Sequence, residues 1–412
     1  MEINPENTLN ISTSIDFASL FSNKDIKIFA FMSEDEIYIF KQGESPILFS
    51  VINEIRKLNG NVKYISYRNL GITGKIIDLF WKIKDKKSLS NISGSSIRWV
   101  FTFIFFCFIR TFSLFDYSFK LSLKNIFKDP TDLAILLTPY LYIPIKRIFL
   151  KNQKIKFILY ETNIEKKFFE FHLSKIIKNK KILNLISKII EFIESEAINS
   201  SCFVLTASKR DMISLRKIYL KKDIDLFFPI KSEMWISAKV PESIVLKDVL
   251  KNKNILLNRD IWKITFLGSN YSLNVKSVLE LIRFNNLNKD FSNNLTFVIV
   301  GNISDYFKDI RDIPDNFIFT GFVKNIEEIM KFTDFFIMFD FMPTGIETKS
   351  IEYAKYFKPT IVVSNEYTGY EWVLENRLIA FSNLNDLQIF LEGIIYLKQP
   401  RIYSYYRKLI KN

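Results

Sequence analysis

The segment DFFIMFDFMPTGIETKSIEYAKYFKPTIVVS, residues 334–364, carries the pattern that decides the fold. Its apolar start predicts a buried strand, and the run Pro343-Thr344-Gly345 then breaks the chain. A helix is expected to begin near Ile346, and PTIVVS at the end predicts a second buried strand. A strand, a helix and a strand in succession indicate a parallel sheet with a right-handed crossover. The segment therefore predicts an α/β fold.

The same alternation occurs on both sides of this segment. It predicts one Rossmann-like domain over residues 1–230 and a second over residues 261–392, joined by a linker at 231–260. Residues 393–412 are predicted to form a C-terminal helix that packs back toward the N-terminal domain. The predicted fold class is α/β, with two Rossmann-like domains facing a central cleft.

Each predicted domain rests on a series of apolar runs. In the first half the predicted strands are IKIFAFMS (26–33), NVKYISY (61–67), DLAILLTPYL (132–141), IKFILYET (155–162) and CFVLTAS (202–208). In the second half they are WKITFLGS (262–269), LTFVIVG (295–301), NFIFTGF (316–322), DFFIMF (334–339) and PTIVVS (359–364). Amphipathic helices are predicted between them. One of these helices begins at Ser208 as N-cap, with Asp211 as its acidic capping partner.

Composition limits the classes of function. The 412 residues carry a formal net charge of +14, which favours an anionic partner such as a membrane surface or a phosphorylated substrate. The positive residues are dispersed and match no nucleic-acid motif, so a nucleic-acid partner is disfavoured. Two separated cysteines and a single histidine, His172, argue against a disulfide framework and a His-based metal centre. The polar N-terminus predicts no signal peptide and hence a cytoplasmic location.

The run WVFTFIFFCFI, Trp99–Ile109, is the most apolar stretch and is flanked by Arg98 and Arg110. As a helix it is too short to span a bilayer core of about 30 Å. Two interpretations stay open: a buried helix, or a helix that dips into the membrane face with the arginines at the headgroups.

Two loops that follow strands of the second half are candidates for phosphate or base binding. Small residues after a strand let backbone N–H groups approach a phosphate, as in GSNYSLN with Gly268, Ser269 and Asn274. FTGFVKN follows another strand, and Gly321 there permits a positive φ before Phe322 and Val323. The plain alternative for both is an ordinary strand–helix turn, the first of them capped by Asn274.

The third candidate loop is the Pro-Thr-Gly turn. Free N–H groups at the helix start, near Gly345 and Ile346, can hold a diphosphate. Lys349 in the first turn can neutralise phosphate charge, and Glu352, three residues later, can accept hydrogen bonds from two ribose hydroxyls. The plain alternative is a solvent-exposed Lys–Glu pair.

These motifs, in this order, resemble the C-terminal domain of GT-B glycosyltransferases of the retaining, group 1 (family four) type, over Ile264 to Tyr370. The resemblance implies a nucleotide-diphosphate sugar as donor and no separate cofactor. It implies that Glu352 holds the ribose, that Gly268–Ser269 and the helix start near Gly345 approach the diphosphate, and that Gly321–Val323 meet the base. The first half, which is similar at YETNIEKKFF and CFVLTASKRD, would bind a glycan or lipid-linked acceptor.

The sequence departs from the family pattern at several positions. Thr344 stands where the first glutamate of a Glu-x7-Glu pair is usual, and Thr162 stands where a histidine is usual. Lys276 and Lys349 are the candidates to replace a missing Arg–Lys pair. We expect a metal-independent, retaining hexosyl transfer, because no DxD-like acidic cluster lies in a suitable loop. The predicted catalytic residues are Lys349, Thr344 and Glu352.

Alternatives from other classes stay open: a sugar-nucleotide epimerase, a catalytically inactive partner subunit, and a nucleic-acid protein. His172 is expected to be a surface or interdomain residue and not a catalytic base. Glu161, Asn163 and Glu165 either line the acceptor side or form an ordinary turn at a strand end.

Overall fold

A computed structural model gives the fold. The residues it describes are 17–30, 45–59, 61–66, 124–142, 145–146, 155–174, 177–221, 223–227, 261–289, 293–323, 326–341, 344–345, 348–354, 356, 358–364 and 378–396. The chain divides into two compact units. The first unit contains Met1–Ile236 and Met342–Ile346, and the second contains Ser237–Phe341 and Glu347–Asn412.

The first unit alternates strands and helices. In chain order its elements are α1 (Phe17–Phe21), β1 (Ile26–Ala30), α2 (Ser45–Leu58), β2 (Val62–Ser66), β3 (Leu133–Leu136), a 3₁₀ turn (Pro139–Leu141), β4 (Lys156–Glu161), α3 (Glu165–Leu173), α4 (Lys180–Ser200), β5 (Phe203–Thr206), α5 (Lys209–Tyr219) and β6 (Ile224–Leu226).

The six strands of the first unit form one parallel sheet in the order β2-β1-β3-β4-β5-β6. Because helices cover both faces of such a sheet, its central strands are apolar along their whole length. Strand β3 follows this rule fully, and β1 and β4 follow it except at Lys27, Lys156 and Glu161; nearly every residue of the three strands is buried. The sheet separates two apolar clusters, one containing Phe29, Leu136 and Leu159, and the other Ile28 and Ile135.

The second unit repeats the design. Its elements are β7 (Trp262–Leu267), α6 (Ser272–Leu287), β8 (Leu295–Val300), α7 (Ser304–Phe307), β9 (Phe317–Gly321), α8 (Ile326–Phe332), β10 (Phe335–Phe339), α9 (Thr348–Ala354), β11 (Thr360–Val363), β12 (Leu378–Phe381) and α10 (Leu384–Tyr396). All neighbouring strands pair in parallel, in the order β12-β11-β10-β7-β8-β9. This is the doubly wound order of a Rossmann sheet, counted from β9 as 3-2-1-4-5-6.

The prediction of two Rossmann-like halves is confirmed, and every predicted strand is present. One boundary was wrong: the strand predicted over 132–141 ends at Leu136, because a 3₁₀ turn takes over at Pro139. Two strands were missed, β6 and β12. Strand β6 has only three residues, and every residue of the edge strand β12 is only partly buried.

Several predictions fall outside the described residues: the Trp99–Ile109 run, the linker at 231–260 and residues 397–412. Helix α10 continues across the predicted boundary at residue 393. Among the residues that the structure describes, no helix combines the length and apolar character needed to cross a bilayer.

Candidate functional site

The second unit has a topological switch point between β7 and β10. The chain runs from β7 outward through β8 to β9, and then returns to place β10 on the other side of β7. Loops that follow the two central strands diverge here and leave a crevice at the carboxyl edge of the sheet, which is where ligands of such sheets bind. The loop after β7 contains Gly268 and Ser269, and the chain after β10 leads to α9 with Lys349 and Glu352.

Three glycines, Gly268, Gly301 and Gly321, lie at the carboxyl ends of β7, β8 and β9, where their backbones contact one another. Gly301, which follows β8, has a φ of +110°, and a Cβ on it would stand 2.2 Å from the carbonyl oxygen of Gly268. Its N–H donates to the carbonyl of Gly321, which ends β9, at 2.8 Å. Only glycine fits this place between two backbones. The sequence predictions did not include Gly301, although its position as the last letter of LTFVIVG was a usable signal.

Asn274 is the third residue of α6 and is buried. The N-cap is Tyr271, so the alternative in which Asn274 caps the helix is wrong. Its Nδ2 instead donates to the backbone carbonyl of Ser269 at 3.1 Å and to the Ser269 hydroxyl at 3.3 Å. Asn274 therefore fixes the conformation of the glycine loop from inside the helix.

Lys349 connects α9 to this loop. Its ammonium donates to Oδ1 of Asn274 at 2.7 Å and lies 4.6 Å from the ring centroid of Phe266. A second ammonium, that of Lys276, lies 4.1 Å from the ring centroid of Phe341. Aromatic faces attract cations, so the rings hold both lysines at the switch point. The Lys–Glu pair is thus not a simple surface pair, because its lysine is built into the loop.

Tyr353 anchors α9 to both central strands. Its ring stacks on Phe336 of β10 with centroids 4.2 Å apart. Its hydroxyl donates to the carbonyl of Ile337 at 3.2 Å and accepts from the N–H of Leu267 at 2.9 Å. The neighbouring Glu352 is partly exposed. Burial, and then the charge of Glu352, raise the pKa of the Tyr356 phenol.

The turn after β9 has the predicted geometry. Gly321 has a φ of +69°, and Phe322 beside it is 42% exposed. Val323 packs against a small apolar cluster with Val300 and Ile329. The turn therefore presents an exposed aromatic ring next to a rigid backbone.

Thr344 and Gly345 belong to the first unit, where Asp211 binds both. The Thr344 hydroxyl donates to Oδ1 of Asp211 at 2.8 Å, and the Gly345 N–H donates to Oδ2 at 2.7 Å. The Thr344 hydroxyl also accepts from the N–H of Ile164 at 2.6 Å. Arg210 donates to the carbonyl of Gly345 at 2.9 Å. Burial raises the pKa of Asp211 to about 6.

This arrangement corrects one prediction. Ser208 does cap α5, with its hydroxyl accepting from the N–H of Asp211 at 3.3 Å. The Asp211 carboxylate, however, is not the reciprocal cap, since its two oxygens bind Thr344 and Gly345. Ile346 lies outside the described residues.

The turn after β4 is buried. Glu161, Asn163 and Glu165 are 1%, 7% and 9% exposed, so the ordinary-turn alternative fits better than a surface that lines the acceptor side. The Cβ of any larger residue at Gly345, which has a φ of +80°, would stand 2.2 Å from Oδ1 of Asn163. Thr162, at the position where the family usually has histidine, is 7% exposed and accepts from Nδ2 of Asn163 at 3.2 Å.

A buried acid group continues from this turn. The Tyr140 hydroxyl donates to Glu165 at 3.1 Å, and the N–H of Glu165 donates to Glu194 at 2.6 Å. The Tyr219 hydroxyl donates to the other oxygen of Glu194 at 2.9 Å. Burial raises the pKa of Glu194 to about 7. The sequence pattern gave no signal for this group, because its members come from four separate elements.

Comparison with known proteins bears on the second unit most directly. The sequence model of the family "Glycosyl transferases group 1" matches residues 262–397. Residues 262–397 are therefore similar in sequence to group 1 glycosyl transferases. The match contains the whole stretch from Ile264 to Tyr370, so the resemblance found there is confirmed, and sugar transfer is the activity class that this family indicates. No curated protein matches the sequence.

Solved structures are similar in fold over both units. Anabaena Alr3699/HepE in complex with UDP is similar with a TM-score of 0.52 at 11% identity, covering 91% of each chain. The same protein in complex with UDP-glucose gives a TM-score of 0.50 at 10% identity, covering 92% of this chain and 90% of that one. WaaG, a glycosyltransferase involved in lipopolysaccharide biosynthesis, gives 0.51 at 11% identity, covering 93% and 94%. The shared feature is the two-domain α/β fold.

His172 is buried at 5% exposure, so the surface part of its prediction as a surface or interdomain residue is wrong. It lies in the last turn of α3, with its ring centroid 4.5 Å from that of Phe168 and 5.2 Å from that of Phe171. Within the described ranges, no group of three or more His, Cys, Asp or Glu side chains is placed to hold a metal ion.

Proposed function

We propose that the protein is a glycosyl transferase that moves a hexose from a nucleotide-diphosphate sugar to a glycan or lipid-linked acceptor, with retention of anomeric configuration and without a metal ion or separate cofactor. The observation that carries the proposal is the Lys349–Asn274–Ser269 connection at the switch point. It holds a cation against the glycine loop on the elements where Rossmann sheets bind ligands, and Glu352 follows that cation on the same helix.

The chemistry needs charge stabilisation at the leaving group. As the sugar departs, negative charge grows on the diphosphate, and preorganised cations and N–H groups stabilise that charge. Lys349 would supply one cation, and Lys276 of helix α6 would supply a second. The backbone N–H of Ser269 would contribute as well. The predicted contribution of the Gly268 and Gly345 N–H groups is not supported, because these groups already donate to the carbonyl of Val300 and to Asp211. Thr344 and Glu352 complete the proposed catalytic set.

The nucleoside would bind beside this group. Glu352 is placed one helical turn after Lys349, where its carboxylate could accept from both ribose hydroxyls. The Gly321–Val323 turn would meet the base, with Phe322 offering an exposed ring for stacking. Uridine is the first base to test, because HepE, whose fold this chain shares, was solved with UDP and with UDP-glucose.

The acceptor would bind the first unit, on the cytoplasmic side of a membrane. The net charge of +14 supports a peripheral contact with an anionic surface, and such a contact suits a lipid-linked acceptor.

The test is turnover of labelled donors. Purified protein is incubated with UDP-, GDP- and ADP-hexoses, with and without EDTA, and release of nucleoside diphosphate is measured. We expect release from at least one donor, unchanged by EDTA, and strongly reduced in Lys349→Met. The transferred sugar should keep its anomeric configuration by NMR. Full inhibition by EDTA, restored by Mg²⁺ or Mn²⁺, would refute the metal-independent part.

One observation favours a second candidate, an inactive partner subunit. Thr344 is 2% exposed, and its hydroxyl both donates and accepts inside the first unit, at a position where the family usually has a glutamate. This candidate predicts that nucleotide sugars bind with the same dependence on Lys349 and that no donor is hydrolysed or transferred at any pH.

A further inference from the structure

Helix α4 carries a row of exposed apolar side chains. Ile182, Leu185, Ile189 and Phe192 are between 37% and 62% exposed. Every other helix in the described part of the chain has at most two large apolar side chains that are exposed. Single exposed apolar residues are normal, whereas a contiguous row indicates an interaction surface.

The four side chains lie on one strip of the helix. At about 100° per residue, their spacing of three, four and three places them within about 80° of one another. One side of the row continues into Ile186 and Ile193, which pack against the core. The other side is bordered by the exposed Lys181 and Lys188. The four apolar residues and these two lysines together are called the α4 stripe below.

The charges around the α4 stripe are mostly positive. Lys178 and Lys180, at the start of the helix, are exposed as well. Each acidic residue of α4 either forms an ion pair with a lysine or is buried. Glu191 pairs with Lys166 at 2.9 Å, Glu196 pairs with Lys146, and Glu194 is 1% exposed.

We propose that the α4 stripe binds an anionic membrane surface. Its apolar residues would enter the boundary between headgroups and acyl chains, while its lysines meet the anionic headgroups. A second copy of the chain is a poorer occupant, because facing stripes would bring like charges together. This inference assigns a specific surface to the membrane contact in the proposed function, and it rests on that proposed contact.

The test is sedimentation with vesicles of phosphatidylcholine, with and without phosphatidylglycerol. Three double variants are compared with the wild type: Leu185→Gln/Phe192→Gln, Lys181→Gln/Lys188→Gln, and the control Leu279→Gln/Leu287→Gln. The control replaces exposed apolar residues of α6 in the second unit. Thermal melting checks that each variant is folded, and donor binding is measured on the same samples.

We expect the wild type to bind anionic vesicles and both stripe variants to bind at least roughly tenfold more weakly, with the control unchanged. Equal binding of the Leu185→Gln/Phe192→Gln variant would overturn the assignment of the surface and leave membrane association standing. No wild-type binding would overturn both. A wild-type dimer in analytical ultracentrifugation that this variant dissociates would identify a protein interface instead. The donor-binding measurement tests the nucleotide-sugar part of the proposed function separately from the membrane contact.

Discussion

Lys349 is the residue best placed to meet a phosphate. Its position depends on Asn274, which in turn holds the carbonyl and hydroxyl of Ser269. The sequence predicted all three residues because each lies at a strand end or in a first helical turn. Their mutual contact could not be predicted, because Lys349 and Asn274 are 75 positions apart.

Lys349→Met tests this position. Methionine keeps the apolar contact with Phe266 and removes the charge. Because charge-assisted hydrogen bonds contribute about 1.5–3 kcal/mol, we expect the Kd of a nucleotide diphosphate to rise by about 10- to 100-fold in calorimetric titration. Lys331→Met is the matched control, an exposed lysine in the last turn of α8. An equal loss in the control would mean that general charge, and not this site, holds the ligand.

Asp211 makes the stability of the fold depend on pH, and no sequence pattern indicates this. It lies 133 positions from Thr344, so their contact appears only in the fold. Its folded pKa of about 6 exceeds the usual unfolded value near 4, because burial outweighs Arg210 and the hydrogen bonds from Gly345 and Thr344. The folded state therefore binds more protons between these pH values, and stability falls as pH rises through 6.

Asp211→Asn removes this titration. The free energy of unfolding of the wild type minus that of the variant should fall as pH rises from about 4 to 7, by up to about 3 kcal/mol. Urea unfolding of both proteins at four pH values measures it. Besides burial, the charge of Asp211 also helps to raise the pKa of Glu194 to about 7, so the variant removes that part of the Glu194 shift as well, with the same sign. A difference that does not vary with pH would contradict the assignment.

At the scale of elements, the backbones at the carboxyl ends of β7, β8 and β9 lie close together. Gly301 makes this possible, because its N–H bonds Gly321 and its missing Cβ leaves room for Gly268. The sequence predicted the strands β7, β8 and β9 from apolar runs. It could not predict their lateral order, which depends on pairing between distant segments.

Gly301→Ala is expected to lower the free energy of unfolding by about 2 kcal/mol or more, from the positive φ and the contact with Gly268. It should also weaken donor binding by displacing the glycine loop. The control Gly393→Ala lies in α10 with open space around its Cβ, and should be neutral or slightly stabilising. Chemical denaturation and titration with donor measure both effects. Equal stability of the two variants would show that the strand ends tolerate a side chain.

At the scale of the whole molecule, the two sheets repeat one rule: continuous apolar strands followed by turns rich in small residues. That rule is visible in sequence, so the fold class and two-unit organisation were predictable. Short or partly exposed strands such as β6 and β12 carry too little apolar signal. The burial of His172 and of the acid group around Glu194 also escaped prediction, because burial of polar residues depends on partners from other elements.

The central claim is that the second unit binds a nucleotide-diphosphate sugar through Lys349 and Glu352. The direct measurement is a thermal-shift screen over uridine, guanosine and adenosine diphosphate sugars, with wild type, Glu352→Ala and Lys331→Met. At a hundredfold excess over Kd, binding stabilises by about 2.7 kcal/mol, which raises the melting temperature by roughly 5 °C or more. We predict such a rise for at least one donor in the wild type and in Lys331→Met, and its loss in Glu352→Ala. No rise with any donor, or a full rise in Glu352→Ala, would contradict the claim.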